Sequence, residues 1–197
     1  MLRVCLFGHS FPARVDRYGR DHPEFLADLP DGCTLSIQGY SGLTYSRIFS
    51  DPQRFLSTLK EYDIIIVDLG TNDLCDIHIT PSLLISRAIS LLDLFDQHGV
   101  RSSRIVFLSI LQRTNIFRHG QVTVSTFNHR VKKYNAQLAG RLDTMSPRVQ
   151  LRSQSKFNRP KYILDGCHLT NEGIELYIKN IIYVITNLKS SLDPHST

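Results

Sequence analysis

The sequence predicts an α/β fold in which a parallel sheet is covered by helices on both faces. Three observations carry that expectation. Apolar, β-branched runs alternate along the chain with stretches whose apolar residues recur at helical spacing. The first three runs close at Gly8, Gly39 and Gly70, where the chain can turn sharply out of a strand. A length of 197 residues with 42% hydrophobic content supports one domain with a sizeable core.

The elements follow in order. Leu2–Phe7 reads as a buried first strand and Thr34–Gln38 as a shorter second one. Asp63–Leu69 is the most strongly β-branched run, Arg104–Ile110 is another buried strand, and Val149–Arg152 is a weak fifth. Between the second and third strands, Leu43–Tyr62 reads as a helix that Pro52 breaks or offsets. Thr80-Pro81 is a cap followed by a first-turn proline. Leu83, Leu84, Ala88, Leu91, Leu92 and Phe95 then carry an apolar stripe to Gly99. From Ser125, a further helix sets Phe127, Val131, Tyr134, Leu138 and Leu142 on one face. The last helix begins at Thr170 or Asn171 and buries Ile174, Ile178, Ile181, Ile182, Ile185 and Leu188. The domain is expected to span residues 1–189, with Ser190–Thr197 a frayed tail. Phe11–Asp31, with Pro12, Gly19, Pro23 and Pro30, suggests a broken helix and loops.

Composition narrows the function classes. No apolar run is long enough to cross a bilayer. Met1–Phe7 runs straight into Gly8-His9-Ser10 with no small-residue cleavage site, so it reads as a strand rather than a leader, and a cytoplasmic location is expected. Cys5, Cys33, Cys75 and Cys167 show neither C-x-x-C spacing nor a zinc pattern with the eight histidines, which predicts reduced thiols and no metal. Charge is unevenly spread. Gln97–Leu164 carries thirteen Lys or Arg against Asp143 alone, a local +12 within a net +5. Such a stretch either forms a solvated flank or meets an anionic partner, nucleic acid or a membrane surface among them.

Four short segments carry chemistry. Ser10 follows a strand and the small Gly8, where its hydroxyl can stand at a strand-to-helix turn beside the first helical N–H groups; a plain helix cap is the bland alternative. Asp165, three residues before His168, can reach the imidazole Nδ1 and leave Nε2 facing a nucleophile as base. Asn72, after the strongest strand, can donate an amide hydrogen bond to a carbonyl oxygen as it gains charge, an interaction worth about 3 kcal/mol of barrier. Gly42, in Gly39-Tyr40-Ser41-Gly42, can offer a backbone N–H to the same oxygen. Asp73 reads as a residue that bonds backbone N–H groups around its loop. A nucleophile, a base, an orienting carboxylate and amide donors are the parts of acyl transfer through a serine.

In this order, Gly-His-Ser, Gly42, Gly-Thr-Asn-Asp and Asp-Gly-Cys-His resemble the blocks of the SGNH (GDSL-like) hydrolase superfamily, and the resemblance spans nearly the whole chain. It implies a flavodoxin-like α/β/α sandwich on a five-stranded parallel sheet, with no metal or organic cofactor. It also implies hydrolysis of esters such as acetylated sugars, lipids, thioesters or small acyl groups. Carried over residue by residue, Ser10, Asp165 and His168 are the catalytic candidates, and Ser10 N–H, Gly42 and Asn72 form the oxyanion hole. His9, Asp73 and Arg113 are candidates for the substrate pocket. The segments Phe127–Asn135 and Asp165–Thr170 also resemble a group of animal intracellular members related to esterase domains of retrotransposon proteins. Two departures stand out: His9 replaces the family's usual aspartate, and Gln112 stands where a proline often follows the fourth strand. The pocket walls are expected from Phe11–Pro30, Asp76–Thr80 and Gln112–Ser125. Two other readings compete. One is an SGNH-like module that binds RNA or another polyanion through residues 97–164; the other is a flavodoxin-like nucleotide binder, which lacks a phosphate-cradling glycine loop.

Overall fold

The computed structural model describes residues 1–100, 103–116, 122–154, 157 and 160–192. Five strands, β1 (Leu2–Gly8), β2 (Cys33–Gly39), β3 (Ile64–Asp68), β4 (Arg104–Leu108) and β5 (Val149–Arg152), form one sheet in the order β2-β1-β3-β4-β5. Every pairing in it is parallel. This is the flavodoxin-like order, and all five strands coincide with runs expected from the sequence.

The apolar runs explain why the sheet is central. Along β1 and β3, Val4, Leu6, Ile64 and Ile66 face one core while Cys5, Phe7, Ile65 and Val67 face the other, and all are buried. The first core is closed by α1 (Ser10–Asp21) and α6 (Asn171–Leu192), through Phe11, Val15, Ile174 and Ile181 among others. The second lies under α2 (Tyr45–Ser50), α3 (Pro52–Leu56), α4 (Pro81–Gln97) and α5 (Val124–Asp143). The layers are therefore helix, sheet, helix.

Local signals set most boundaries. Thr80 Oγ1 accepts from Leu83 N at 3.2 Å and Pro81 opens α4, as its sequence predicts. Pro52 divides α2 from α3, with Asp51 as the cap of the second helix. Segment 11–31 departs from expectation, because α1 is one continuous 12-residue helix. Pro12 is tolerated there since first-turn amides have no intrahelical acceptor and lose nothing to the ring. A 3₁₀ turn at Pro23–Leu26 follows it. The last helix also runs to Leu192, past the expected start of a tail at Ser190, while 193–197 lie outside the described residues. A short antiparallel pair, β6 (Ile163–Leu164) and β7 (His168–Leu169), was not legible in the sequence. Among the described residues no helix is long and apolar enough to cross a membrane. All four cysteines are free, and burial pushes the Cys5 thiol up to about 12.

The strand order also opens a crevice. The chain leaves β1 toward one face and β3 toward the other, so a gap forms at the carboxyl ends of these two central strands.

Candidate active site

Gly8 ends β1 opposite Asp68, so close that a Cβ at Gly8 would overlap the Asp68 carbonyl. The residue is therefore held as glycine by strand spacing. His9 follows as the cap of α1, and Ser10 is the first helical residue. His9 is 1% exposed and Asp68 2%. His9 Nδ1 accepts from Phe11 N–H at 3.4 Å, which leaves the proton on Nε2, 3.0 Å from Asp68 Oδ1. Asp68 Oδ2 accepts from the Tyr177 hydroxyl at 2.6 Å. The turn that carries Ser10 is thereby tied to β3 and α6. Ser10 Oγ lies 3.4 Å from His9 Nδ1, and the Ser10 amide finds no acceptor among the described residues.

After β3, Asn72 Nδ2 donates to Leu43 O at 3.0 Å. An amide carries two N–H groups, so one remains for a ligand. The same bond fixes the turn that presents Gly42, whose φ is +71° and whose N–H has no acceptor among the described residues. Asp73 turns away from the crevice. It is 3% exposed, accepts from Tyr45 N–H at 3.2 Å and receives Arg87 Nη1 at 3.3 Å. Burial pushes its carboxyl up to about 6, against the opposing pull of Tyr45 N–H and Arg87.

The histidine is delivered by the turn between β6 and β7. Asp165 and Gly166 both take positive φ, at 55° and 77°. A Cβ at Gly166 would come within 2.7 Å of Asn115 N, and the Gly166 carbonyl accepts from Thr114 N–H at 3.0 Å. Within the turn, Asp165 Oδ1 accepts from Cys167 and His168 N–H at 3.1 and 2.9 Å. Its Oδ2 lies 2.9 Å from His168 Nδ1. Partial desolvation works to raise the Asp165 carboxyl, but bonds from the His168 ring, His168 N–H and Cys167 N–H together hold it below its ordinary value. An Nδ1–H donated to this carboxylate leaves His168 Nε2 as the acceptor.

Ser10, Gly42, Asn72 and His168 line one cavity of about 390 Å³. Arg113 joins them, 8% exposed, with its guanidinium 5.1 Å over the Phe127 ring and Nη1 3.2 Å from Cys75 Sγ. His9 and Asp73 do not line it; each is turned into the protein by its own partners. Nor does segment 76–80, and of the last expected wall Arg113 and Ile116 line it while 117–121 lie outside the described residues.

Sequence reading missed several contributors. Arg14 and Arg17, unnamed individually within the expected wall Phe11–Pro30, reach the cavity because α1 is helical, and Cys75 and Cys167 also line it. Asn128 grips the Arg113 backbone from α5 through two bonds of 2.8 Å, and Asn135 grips Ile110 at 2.9 Å in both directions. The seven-residue spacing of the two asparagines was the available signal. Within the basic stretch, Arg130 donates to the carbonyls of Asp76 and Ile77, Arg148 pairs with Asp96, and Arg113 sits in the cavity. Arg101, Arg118, Lys156 and Arg159 lie outside the described residues. Among the described residues, no group of three His, Cys, Asp or Glu side chains is placed to hold a metal ion.

No protein-family model matches this sequence, and no curated protein matches it in sequence. Solved structures do share its fold. A GDSL-like lipase from Bacteroides thetaiotaomicron aligns with a TM-score of 0.70 at 17% identity, over 94% of this chain and 88% of its own. A carbohydrate esterase family 3 protein from Talaromyces cellulolyticus aligns at 0.67 with 15% identity, over 98% and 100%. An acetyl esterase mutant with acetate ion aligns at 0.65 with 16% identity, again over 98% and 100%. At these identities the likeness is one of fold.

Proposed function

We propose that this chain is a serine ester hydrolase of the SGNH type, acting through Ser10, His168 and Asp165. The observation that carries the reading is the convergence of Ser10, His168, Asn72 and Gly42 on one cavity, with His168 already held by Asp165. The shared fold with GDSL-like lipases and acetyl esterases supports it, and the wording of the Phe127–Asn135 and Asp165–Thr170 segments points within that superfamily to the animal esterase-like group.

In the proposed cycle, Ser10 Oγ attacks the ester carbonyl while His168 Nε2 takes its proton. Asp165 orients the ring and stabilises the imidazolium. The oxygen that gains charge lies among Ser10 N–H, Gly42 N–H and the free Asn72 N–H, at the positive end of α1. His168 returns the proton to the leaving alcohol, and water cleaves the acyl-enzyme by the same steps.

Hydrolysis of 4-nitrophenyl acetate by the purified chain tests the reading. Turnover that is abolished in Ser10→Ala and strongly reduced in His168→Ala is expected. For Asn72→Ala, kcat should fall about 10²–10³-fold, the usual effect of removing one oxyanion donor. Turnover undiminished in Ser10→Ala would end the proposal.

A further inference from the structure

We infer that the ester taken by this site carries an anionic oxyacid group, a carboxylate or phosphate, held by Arg113 together with Arg14 and Arg17. This inference rests on the ester-hydrolase reading for the reaction but on separate residues for the charge.

Arg113 is the first ground. Arg113 is 8% exposed as a residue, and a guanidinium drawn so far out of bulk water favours a counter-charge or a full set of acceptors. Other arginines show what that looks like here: Arg87 pairs with buried Asp73, Arg148 with Asp96, and Arg130 bonds loop carbonyls. Arg113 has neither. Its only side-chain acceptor among the described residues is Cys75 Sγ, and no carboxylate lies within ion-pair distance. Burial raises the Cys75 thiol more than Arg113 lowers it, so Cys75 supplies no negative charge. Arg113 lines the same cavity as Ser10 and His168.

The second ground is α1. Ser10, Ala13, Arg14 and Arg17 fall at the spacing of one helical face, and all four line the cavity. Neither arginine has a carboxylate partner among the described residues, whereas Arg20, turned away, pairs with Asp16 at 2.9 Å. Among the described residues, no aspartate or glutamate lines the cavity. Three arginines and a helix N-terminus therefore border one space with no acidic side chain among its described lining residues. Planar N–H forks of this kind match the oxygens of carboxylate and phosphate groups. Arg113 is held ready by Asn128, which grips its backbone on both sides, and by the Phe127 ring beneath it.

The test compares phenyl acetate, as the neutral parent, with phenyl hemisuccinate, 4-acetoxybenzoate and 4-acetoxyphenyl phosphate, each rate normalised to hydroxide hydrolysis. At least one charged ester should exceed the parent in kcat/KM by about ten- to a hundredfold, the effect of a charge-assisted hydrogen bond. The better of the last two identifies carboxylate or phosphate as the group. In Arg113→Gln and Arg17→Gln that ratio should collapse toward one, and in Arg20→Gln it should not change. If Arg113→Gln fails to fold, Arg17→Gln and a fall of the ratio with added salt decide the matter. A neutral ester preferred or equalled by wild type overturns the inference and leaves the hydrolase reading standing. Thermal shift of Ser10→Ala with succinate, benzoate or inorganic phosphate separates the opposite case. Stabilisation there, with no ester hydrolysed by wild type, would keep the anion site and remove the hydrolase.

Discussion

His9 and Asp68 lie 3.0 Å apart in nearly complete burial, with the Tyr177 hydroxyl 2.6 Å from the second carboxylate oxygen. Where the resembling family carries an aspartate, this chain places a donor ring and meets it with an acid from the next strand. An aspartate at this position should therefore harm the protein. His9→Asp faces one carboxylate with another and should lower unfolding stability by about 3–5 kcal/mol, with His9→Asn losing less, as urea titration would measure. Tyr177→Phe removes one bond to the same carboxylate and should cost about 1.5–3 kcal/mol. Asp73 gives a pH signature. Its carboxyl rises from 3.8 to about 6 on folding, so the native state binds more protons than the unfolded state between those values. Its contribution to stability is greatest below 3.8 and declines as pH rises through 6, by at most about 3 kcal/mol. The stability of Asp73→Asn relative to wild type should accordingly climb across that window and then level off in thermal melts. At this scale the sequence displayed Ser10, Asn72, Asp165 and His168 because each sits in a short local pattern. It hid the pairing of His9 with Asp68, whose partners are 59 residues apart and meet only through strand register.

Two elements set the geometry of the cavity from outside it. The loop after β4 is pinned to α5 by Asn128 and Asn135, which replace a missing strand partner with side-chain amides. Asn128→Ala should lose about 1–3 kcal/mol of stability and, by loosening Arg113, reduce kcat/KM for a charged ester more than for a neutral one. The turn between β6 and β7 holds His168 through two successive residues of positive φ. Gly166→Ala forces a side chain toward Thr114 and Asn115, so kcat should drop while the circular dichroism spectrum is kept. Strands and long helices were readable because their apolar period is fixed by burial: the whole of β3, Ile64–Asp68, is buried. Helix α1 was not, since Pro12 and Gly19 obscure its pattern although Pro12 lies where a helix accepts it. The two-residue strands of the turn are too short to leave a period at all.

The whole molecule is organised by its central strands, which separate the two cores and open the crevice where the chain parts. Ile66→Ala takes side-chain volume from the core under α1 and α6 and should cost about 2–5 kcal/mol, with far-ultraviolet and aromatic signals lost in one transition. Sheet order was accessible only through resemblance, because alternating patterns fix a parallel sheet without fixing which strands are neighbours. The structure supplies that order, and with it the approach of residues 10, 42, 72 and 168 to one cavity. Whether that approach yields an activated serine is measured most directly by intact mass after exposure of the folded chain to a fluorophosphonate, which requires no choice of substrate. One adduct on wild type, missing from Ser10→Ala and slowed in His168→Ala, is the predicted result. No adduct on folded wild type, or an adduct that persists in Ser10→Ala, would contradict the account.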